Sequence, residues 1–269
     1  MLGSIWRTIK FLTPTLNRKL SKFGYEMAAK NFQFDDWKFM NFGYVYDDEK
    51  DNPKLDKIDE NDRYFIQLYD QVIKNLELKN KKILEVGSGR GGGASFISKY
   101  HKPLSYIGID ISQNAIDFSN RIYNLDELSF SQGDAENLPF ENNIFDIVIN
   151  VESSHCYGSF KNFLLEVFRV LQKQGYFSYT DIMTIDQWEE VEKTINDSKF
   201  TKVDFKDISQ NALNSLSKIS EWRKGWLEEK FPSFVRGMAE DIAAVKGTRP
   251  YNKLASGKLI YKTFLFLKD

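Results

Sequence analysis

The chain has little of several things. It holds one cysteine, Cys156, in 269 residues, so no intrachain disulfide can form; a reducing, cytoplasmic setting is the expectation. It has two histidines, His101 and His155, which leaves few candidates for proton transfer near neutral pH. No run of about 18 apolar residues exists, which excludes a spanning helix of ordinary composition. Net charge is also missing: 37 basic and 38 acidic residues leave −1, so no nucleic-acid partner is expected. What the chain does have is a hydrophobic content of 42% and an aromatic content of 15%, enough for one large packed domain.

Charge is unevenly placed. Residues 1–25 carry Arg7, Lys10, Arg18, Lys19 and Lys22 with no acid, interleaved with Ile5, Trp6, Ile9, Phe11 and Leu12. A continuous apolar core and a small-residue cleavage site are lacking, so a secretory signal is not expected. The pattern suits either a helical cap over a site or a peripheral contact with an anionic membrane. Residues 47–62 are dense in Asp and Glu, contain Pro53, and read as an exposed linker. The expected division is thus a cap segment and linker over 1–60 and a main domain over 61–269.

From residue 61 onward helix and strand patterns alternate. Tyr64, Leu68, Val72, Ile73 and Leu76 keep a helical period. Apolar runs predict strands at 82–86, 106–110, 128–131, 145–151 and 175–182, with helices after 94 and after 112. Phe160, Phe163, Leu164, Val167, Phe168 and Leu171 fall on one helical face. Two further strands are predicted at 200–207 and 258–267. Between them an aromatic helical insertion at about 209–245 reads as a substrate lid, with Trp222 and Trp226 as candidate substrate contacts. The pattern implies an α/β fold: a Rossmann-like, doubly wound, parallel seven-stranded sheet with an N-terminal helical cap.

In such a sheet, ligands bind beyond the carboxyl ends of the strands. Residues 83–94, ILEVGSGRGGGA, are a strand entering a glycine turn and then a helix. Gly87, Gly89 and Gly91 allow close backbone approach to a ligand; Gly87, Gly89 and Gly92 also satisfy the GxGxxG of dinucleotide sites. Glu85 separates the two readings. It would oppose a pyrophosphate at this turn but suits the ammonium and sulfonium of S-adenosylmethionine. Asp110 ends the second strand, 19 positions after Gly91, where a carboxylate can accept both ribose hydroxyls. Asp134, within Gly133-Asp134-Ala135, is placed for an adenine amine. Ile111 after Asp110, and Asn150 at the fourth strand's end, complete the expected cofactor contacts. A nicotinamide oxidoreductase remains the alternative from another chemistry.

The fourth strand ends in NVESSHCY, 150–157, where reacting groups would sit. His155 is the candidate base for a hydroxyl acceptor, with Glu152 second. Asn150, Glu152 and Asp181 could approach one another, but their spacing matches no known ligand set and no metal is expected. The Cys156–His155 pair lacks an acyl-transfer context.

With these motifs the chain resembles class I S-adenosylmethionine-dependent methyltransferases, and more narrowly the phthiotriolone/phenolphthiotriolone dimycocerosates methyltransferase family. The matching segments are GRGGGASFIS at 89–98, GDAENLPF at 133–140, NVESSHCY at 150–157, the stretch around 256–259, and the terminal FLFLKD. The resemblance runs from about Phe39 to the end of the chain. It implies O-methylation of a small hydrophobic lipid, polyketide or other natural-product acceptor; a C- or N-acceptor on the same fold remains open. Asn41-Phe42-Gly43-Tyr44 loosely matches a segment that closes over the cofactor in related enzymes, which makes Tyr44 a candidate contact. Ser88 and Arg90 stand where close relatives vary, and the first ~35 residues and the lid diverge, so the exact acceptor does not carry over.

Overall fold

The computed structural model describes residues 34–269. The basic segment 1–25, with its cap or membrane expectation, lies outside them. Seven strands form one sheet: β1 (Lys82–Val86), β2 (Ser105–Asp110), β3 (Leu128–Gln132), β4 (Phe145–Val151), β5 (Leu171–Met183), β6 (Phe200–Asp207) and β7 (Ile260–Lys268). Eight helices accompany them among the described residues: α1 (Arg63–Ile73), α2 (Gly92–His101), α3 (Gln113–Ile122), α4 (Phe160–Val170), α5 (Ile185–Asn196), α6 (Ser209–Lys230), α7 (Ser233–Ile242) and α8 (Arg249–Ala255).

The strand order is β3-β2-β1-β4-β5-β7-β6. β1 lies between β2 and β4 with parallel register, so the chain reverses its direction of progress along the sheet at β1/β4 and opens a crevice there. The sheet is mixed rather than wholly parallel: β7 inserts antiparallel between β5 and β6.

Alternation sorts side chains to two faces. On β1, Ile83 joins the cluster packed by α1, α2 and α6, while Leu84 and Val86 join that of α4 and α5. β4 is buried at all positions except the half-buried Asp146, as its run FDIVINV requires of a central strand. Ser112 caps α3 by accepting from Ala115 N, and Ser159 caps α4 through Asn162 N. β5 begins at Leu171, four residues before the expected Gly175, because the chain leaves α4 directly into extended backbone paired with Phe145. The aromatic insertion folds as α6 and α7. Periodicity does not reveal α8; Pro250 in its first turn starts it after Thr248.

The acidic stretch is fastened rather than loose. Asp59 accepts from Lys99 Nζ at 2.7 Å and Tyr100 OH at 2.6 Å, and Asn52 accepts from Gln67 at 2.6 Å. Phe39, Tyr44 and Tyr46 are buried in the same cluster as α1 and α2. Its charges find partners on α1 and α2, a tertiary fact that composition cannot show.

Candidate functional site

β1 ends at Val86, and the chain turns through Gly87 (φ 77°), Gly89 (φ 52°) and Gly91 (φ 76°) into α2. Gly87 N and Ser88 N both donate to Ile109 O, at 2.8 and 2.9 Å, which stitches the turn to β2. A Cβ on Gly87 would fall 2.3 Å from Ser153 Oγ and 2.9 Å from Tyr157 OH. Only glycine fits here, both for its positive φ and for this approach. The turn borders a cavity of about 500 Å³ over the carboxyl ends of β1, β2 and β4, within the ~300–1,000 Å³ usual for small-molecule sites.

Gly87, Gly89, Asp110, Ile111, Gly133, Asp134, Ala135, Glu152 and His155 all line that cavity. Asp110 is anchored by Gly89 N on Oδ2 and by Ser112 N on Oδ1, each at 2.9 Å. A carboxylate oxygen can accept twice, so the anchored side chain can also serve ribose hydroxyls. Asp134 accepts from Glu136 N at 2.9 Å.

Four expected contacts lie elsewhere. Glu85 is buried beneath the cavity, accepting from Tyr69 OH at 2.7 Å and Tyr106 OH at 3.0 Å. It shares the side of β1 with Ile83, and strand alternation turns it into the layer under α1 and α2. Burial pushes its carboxyl up to about 7, partly offset by the two tyrosines. Tyr69 does line the cavity, so Glu85 acts on the site through that ring. Gly91 caps α2 and faces Phe130. Tyr44 is wholly buried, with Lys206 Nζ donating to its hydroxyl at 2.7 Å. Asn150 sits one layer down; its amide donates to Val86 O at 2.7 Å and braces Ser153 at 2.7 Å and Tyr157 at 3.0 Å.

These residues fit S-adenosylmethionine. Five carboxylates line the cavity (Asp110, Asp134, Glu136, Glu152, Asp241) against two permanent cations, Lys38 and Arg90. That balance favours a cationic ligand over a pyrophosphate. The buried Ser88 hydroxyl, in the turn itself, has no hydrogen-bond partner among the described residues. A ligand at the glycine cradle would meet it.

His155 follows β4 in a short helical turn. Its Nδ1 lies 2.7 Å from Asp181 Oδ1, and its backbone N donates to Asp181 Oδ2 at 3.0 Å. Asp181 is fully buried near the end of β5 and also accepts from Ser154 Oγ at 2.5 Å. Burial opposes charge on the imidazole, but the Cys156 sulfur and the Asp181 carboxylate outweigh it and hold the imidazole well above its ordinary range. Glu152 adopts φ 46°, a strained value for a residue with a side chain. That turn brings Oε1 to Phe42 N at 2.7 Å and to Tyr261 OH. Burial raises the carboxyl to about 7, with Tyr261 and Phe42 pulling it down.

Residues 37–42 form another wall. Arg90 holds them: Nε donates to Trp37 O at 2.5 Å, Nη2 donates to Phe34 O at 2.9 Å, and the guanidinium lies 3.6 Å from the centroid of the Phe118 ring. Trp222 and Trp226 do not reach the main cavity. They line a second one of about 90 Å³, between α6, α7 and residues 36–42. Trp37, Lys38, Phe39, Met40, Phe42 and Ile242 border both cavities.

Sequence reasoning missed Asp181 as the partner of His155, although an acid near the end of a predicted strand was a usable signal. Tyr69 and the role of Arg90 had none, because both depend on contacts between distant segments. Among the described residues, no group of three or more His, Cys, Asp or Glu is placed to hold a metal ion.

Comparisons with known proteins agree with this geometry. A family model described as a methyltransferase domain matches residues 77–229. The chain is 33% identical over 252 residues to a phthiotriol/phenolphthiotriol dimycocerosates methyltransferase of Mycobacterium tuberculosis, covering 94% of this chain and 93% of that one. It is 34% identical over 263 residues to a fatty-acid O-methyltransferase of Mycolicibacterium smegmatis, covering 98% and 93%. Among solved structures, a geranyl diphosphate C-methyltransferase from Streptomyces coelicolor, in complex with Mg2+, geranyl diphosphate and S-adenosyl-L-homocysteine, superposes with a TM-score of 0.66 at 15% identity, covering 91% of this chain and 98% of that one.

Proposed function

Because the chain belongs to the methyltransferase-domain family and is an S-adenosylmethionine-dependent enzyme, we propose that it methylates a hydroxyl of a hydrophobic, lipid-like acceptor with His155 as base. The observation that carries this reading is the His155–Asp181 pair at 2.7 Å in the wall of the cavity that the glycine turn borders.

Bound there, S-adenosylmethionine supplies a methyl group already activated on a sulfonium. The chain's residues bind, orient and move a proton. Gly87, Gly89 and Ser88 cradle the methionyl side, Asp110 takes the ribose, and Asp134 the adenine side. Asp181, bonded at Nδ1, leaves Nε2 of His155 as the nitrogen that takes the acceptor's proton, and it steadies the imidazolium that results. Glu152, fixed by Phe42 N and Tyr261, shapes the other side of the acceptor's approach. The second cavity, lined by Trp222, Trp226, Leu227 and Phe231, takes an apolar tail.

A second reading is favoured by Arg223. It is 8% exposed, lines the second cavity, and donates to Ala243 O. A guanidinium on which the main cavity's Glu152 carboxylate acts suits an acceptor carboxylate lying where the two cavities meet, the class named for the fatty-acid relative. A carboxylate needs no base.

Incubation with labelled cofactor, a long-chain alcohol and a fatty acid, read by mass spectrometry, separates the two. For hydroxyl methylation, His155→Ala should lose roughly 10²–10⁴-fold in turnover, with cofactor binding by calorimetry retained. Unchanged turnover on the alcohol removes His155 as base. Turnover on the fatty acid alone, lost in Arg223→Met, establishes the second reading.

A further inference from the structure

Helices α6 and α7 carry an apolar surface that the fold leaves uncovered among the described residues. On α7, Phe234, Met238 and Ile242 recur every four residues and are 86%, 55% and 58% exposed. Trp222 of α6, at 53%, and Met40 are exposed as well. This face is not isolated from the site. Trp222, Met238 and Ile242 line the second cavity, and Ile242 and Met40 border both cavities. The stripe therefore forms a rim shared by the two cavities.

We propose that this rim docks onto the surface of an anionic lipid bilayer, so that an acceptor resident in the bilayer passes into the cavity without crossing water. Three observations select that occupant. A ten-residue helix with one apolar face is suited to lie in the interface plane, and no described helix is long and apolar enough to cross a membrane. The rim is continuous with both cavities, so an apolar sheet laid on it communicates with the site. Finally, the first 25 residues hold five cations and no acid, and the described chain begins at Phe34, whose ring meets Trp226 and Phe231 at 5.6 and 5.5 Å beside the same rim. Only eight residues separate the basic stretch from Phe34 in the sequence, and its charge complements anionic headgroups. Acids are present at this rim too: Asp241 is exposed although it also lines the main cavity, and Asp36 borders the second cavity, where it accepts from Trp226 Nε1 and faces Lys230 Nζ at 3.9 Å, while Glu240 is half-buried.

Docking needs no methyl transfer, so its test stands apart from the choice of acceptor. Full-length protein is floated with vesicles of phosphatidylglycerol and phosphatidylcholine, or of phosphatidylcholine alone. The variant is Phe234→Asp, at a position that borders neither cavity and, being exposed, holds no part of the core. Wild type should float with the anionic vesicles and less with the zwitterionic ones. Phe234→Asp should reduce the bound fraction by about tenfold or more, with its melting temperature and its turnover on a water-soluble short-chain acceptor unchanged. Equal flotation of the variant, or no flotation of wild type, overturns the proposal. So does a wild-type dimer in lipid-free sedimentation velocity that Phe234→Asp converts to monomer, since a second copy would then occupy the face.

Discussion

His155 and Asp181 meet at 2.7 Å although 26 positions separate them, because β4 and β5 are parallel neighbours and both residues lie at their carboxyl ends. Asp181 accepts from His155 twice, through the ring and through the backbone, and from Ser154. The imidazole is thereby both oriented and held charged.

That arrangement predicts a pH profile. With the imidazole's proton affinity raised, the neutral base becomes available only as pH climbs above its ordinary range. Turnover on a hydroxyl acceptor should therefore rise with pH, with its midpoint above the ordinary imidazole range. Asp181→Asn removes one of the charges that hold the proton, so the midpoint should move to lower pH while the plateau falls on the order of 10²-fold, because orientation is lost. A merely structural role for Asp181 would lower the plateau without moving the midpoint.

Gly87→Ala places a methyl 2.3 Å from Ser153 Oγ in backbone at φ 77°. Strain of about 1–3 kcal/mol is expected, with displacement of the turn. Cofactor affinity by calorimetry should drop below detection even where circular dichroism shows a folded protein. Gly225, in α6, is the control, since a methyl added there would have nothing within 4 Å. Gly225→Ala should raise stability by about 0.5–1 kcal/mol and leave cofactor binding alone.

Glu85 predicts a stability change with pH. Its carboxyl titrates near 7 in the fold against 4.5 when unperturbed. Between those values the folded state holds a proton that the unfolded state has lost, so stability from this group is full below pH 4.5 and declines as pH rises toward 7. The decline amounts to about 3 kcal/mol. Glu85→Gln should flatten this component: the difference in melting temperature between pH 5 and pH 7 should move toward greater relative stability at pH 7. An unchanged difference would show that Glu85 is ionised throughout.

Much of the site was legible because it obeys short-range rules. A glycine turn after an apolar strand, acids at the ends of successive strands, and NVESSHCY after the fourth all follow from local pattern and parallel-sheet topology. Glu85 shows the limit. Its place in the motif is readable, but which way it points is set by strand alternation and by the hydroxyls of Tyr69 and Tyr106, 16 residues upstream and 21 downstream. Trp222 and Trp226 lie on a helix, as their spacing implies, yet a separate cavity receives them, since the packing of α6 against α7 and residues 36–42 decides where they project.

The sequence by itself determined the strand–helix alternation, the glycine turn and the acids Asp110 and Asp134 at successive strand ends, because these depend on residue type and spacing along one segment. Only the tertiary structure decided the partner of the base, the burial of Glu85 and Tyr44, the tethering of residues 34–37 by Arg90, and the joining of two cavities at an apolar rim. Each of those arises where segments far apart in the chain are brought within hydrogen-bonding or van der Waals distance, and no local pattern encodes which segments those will be.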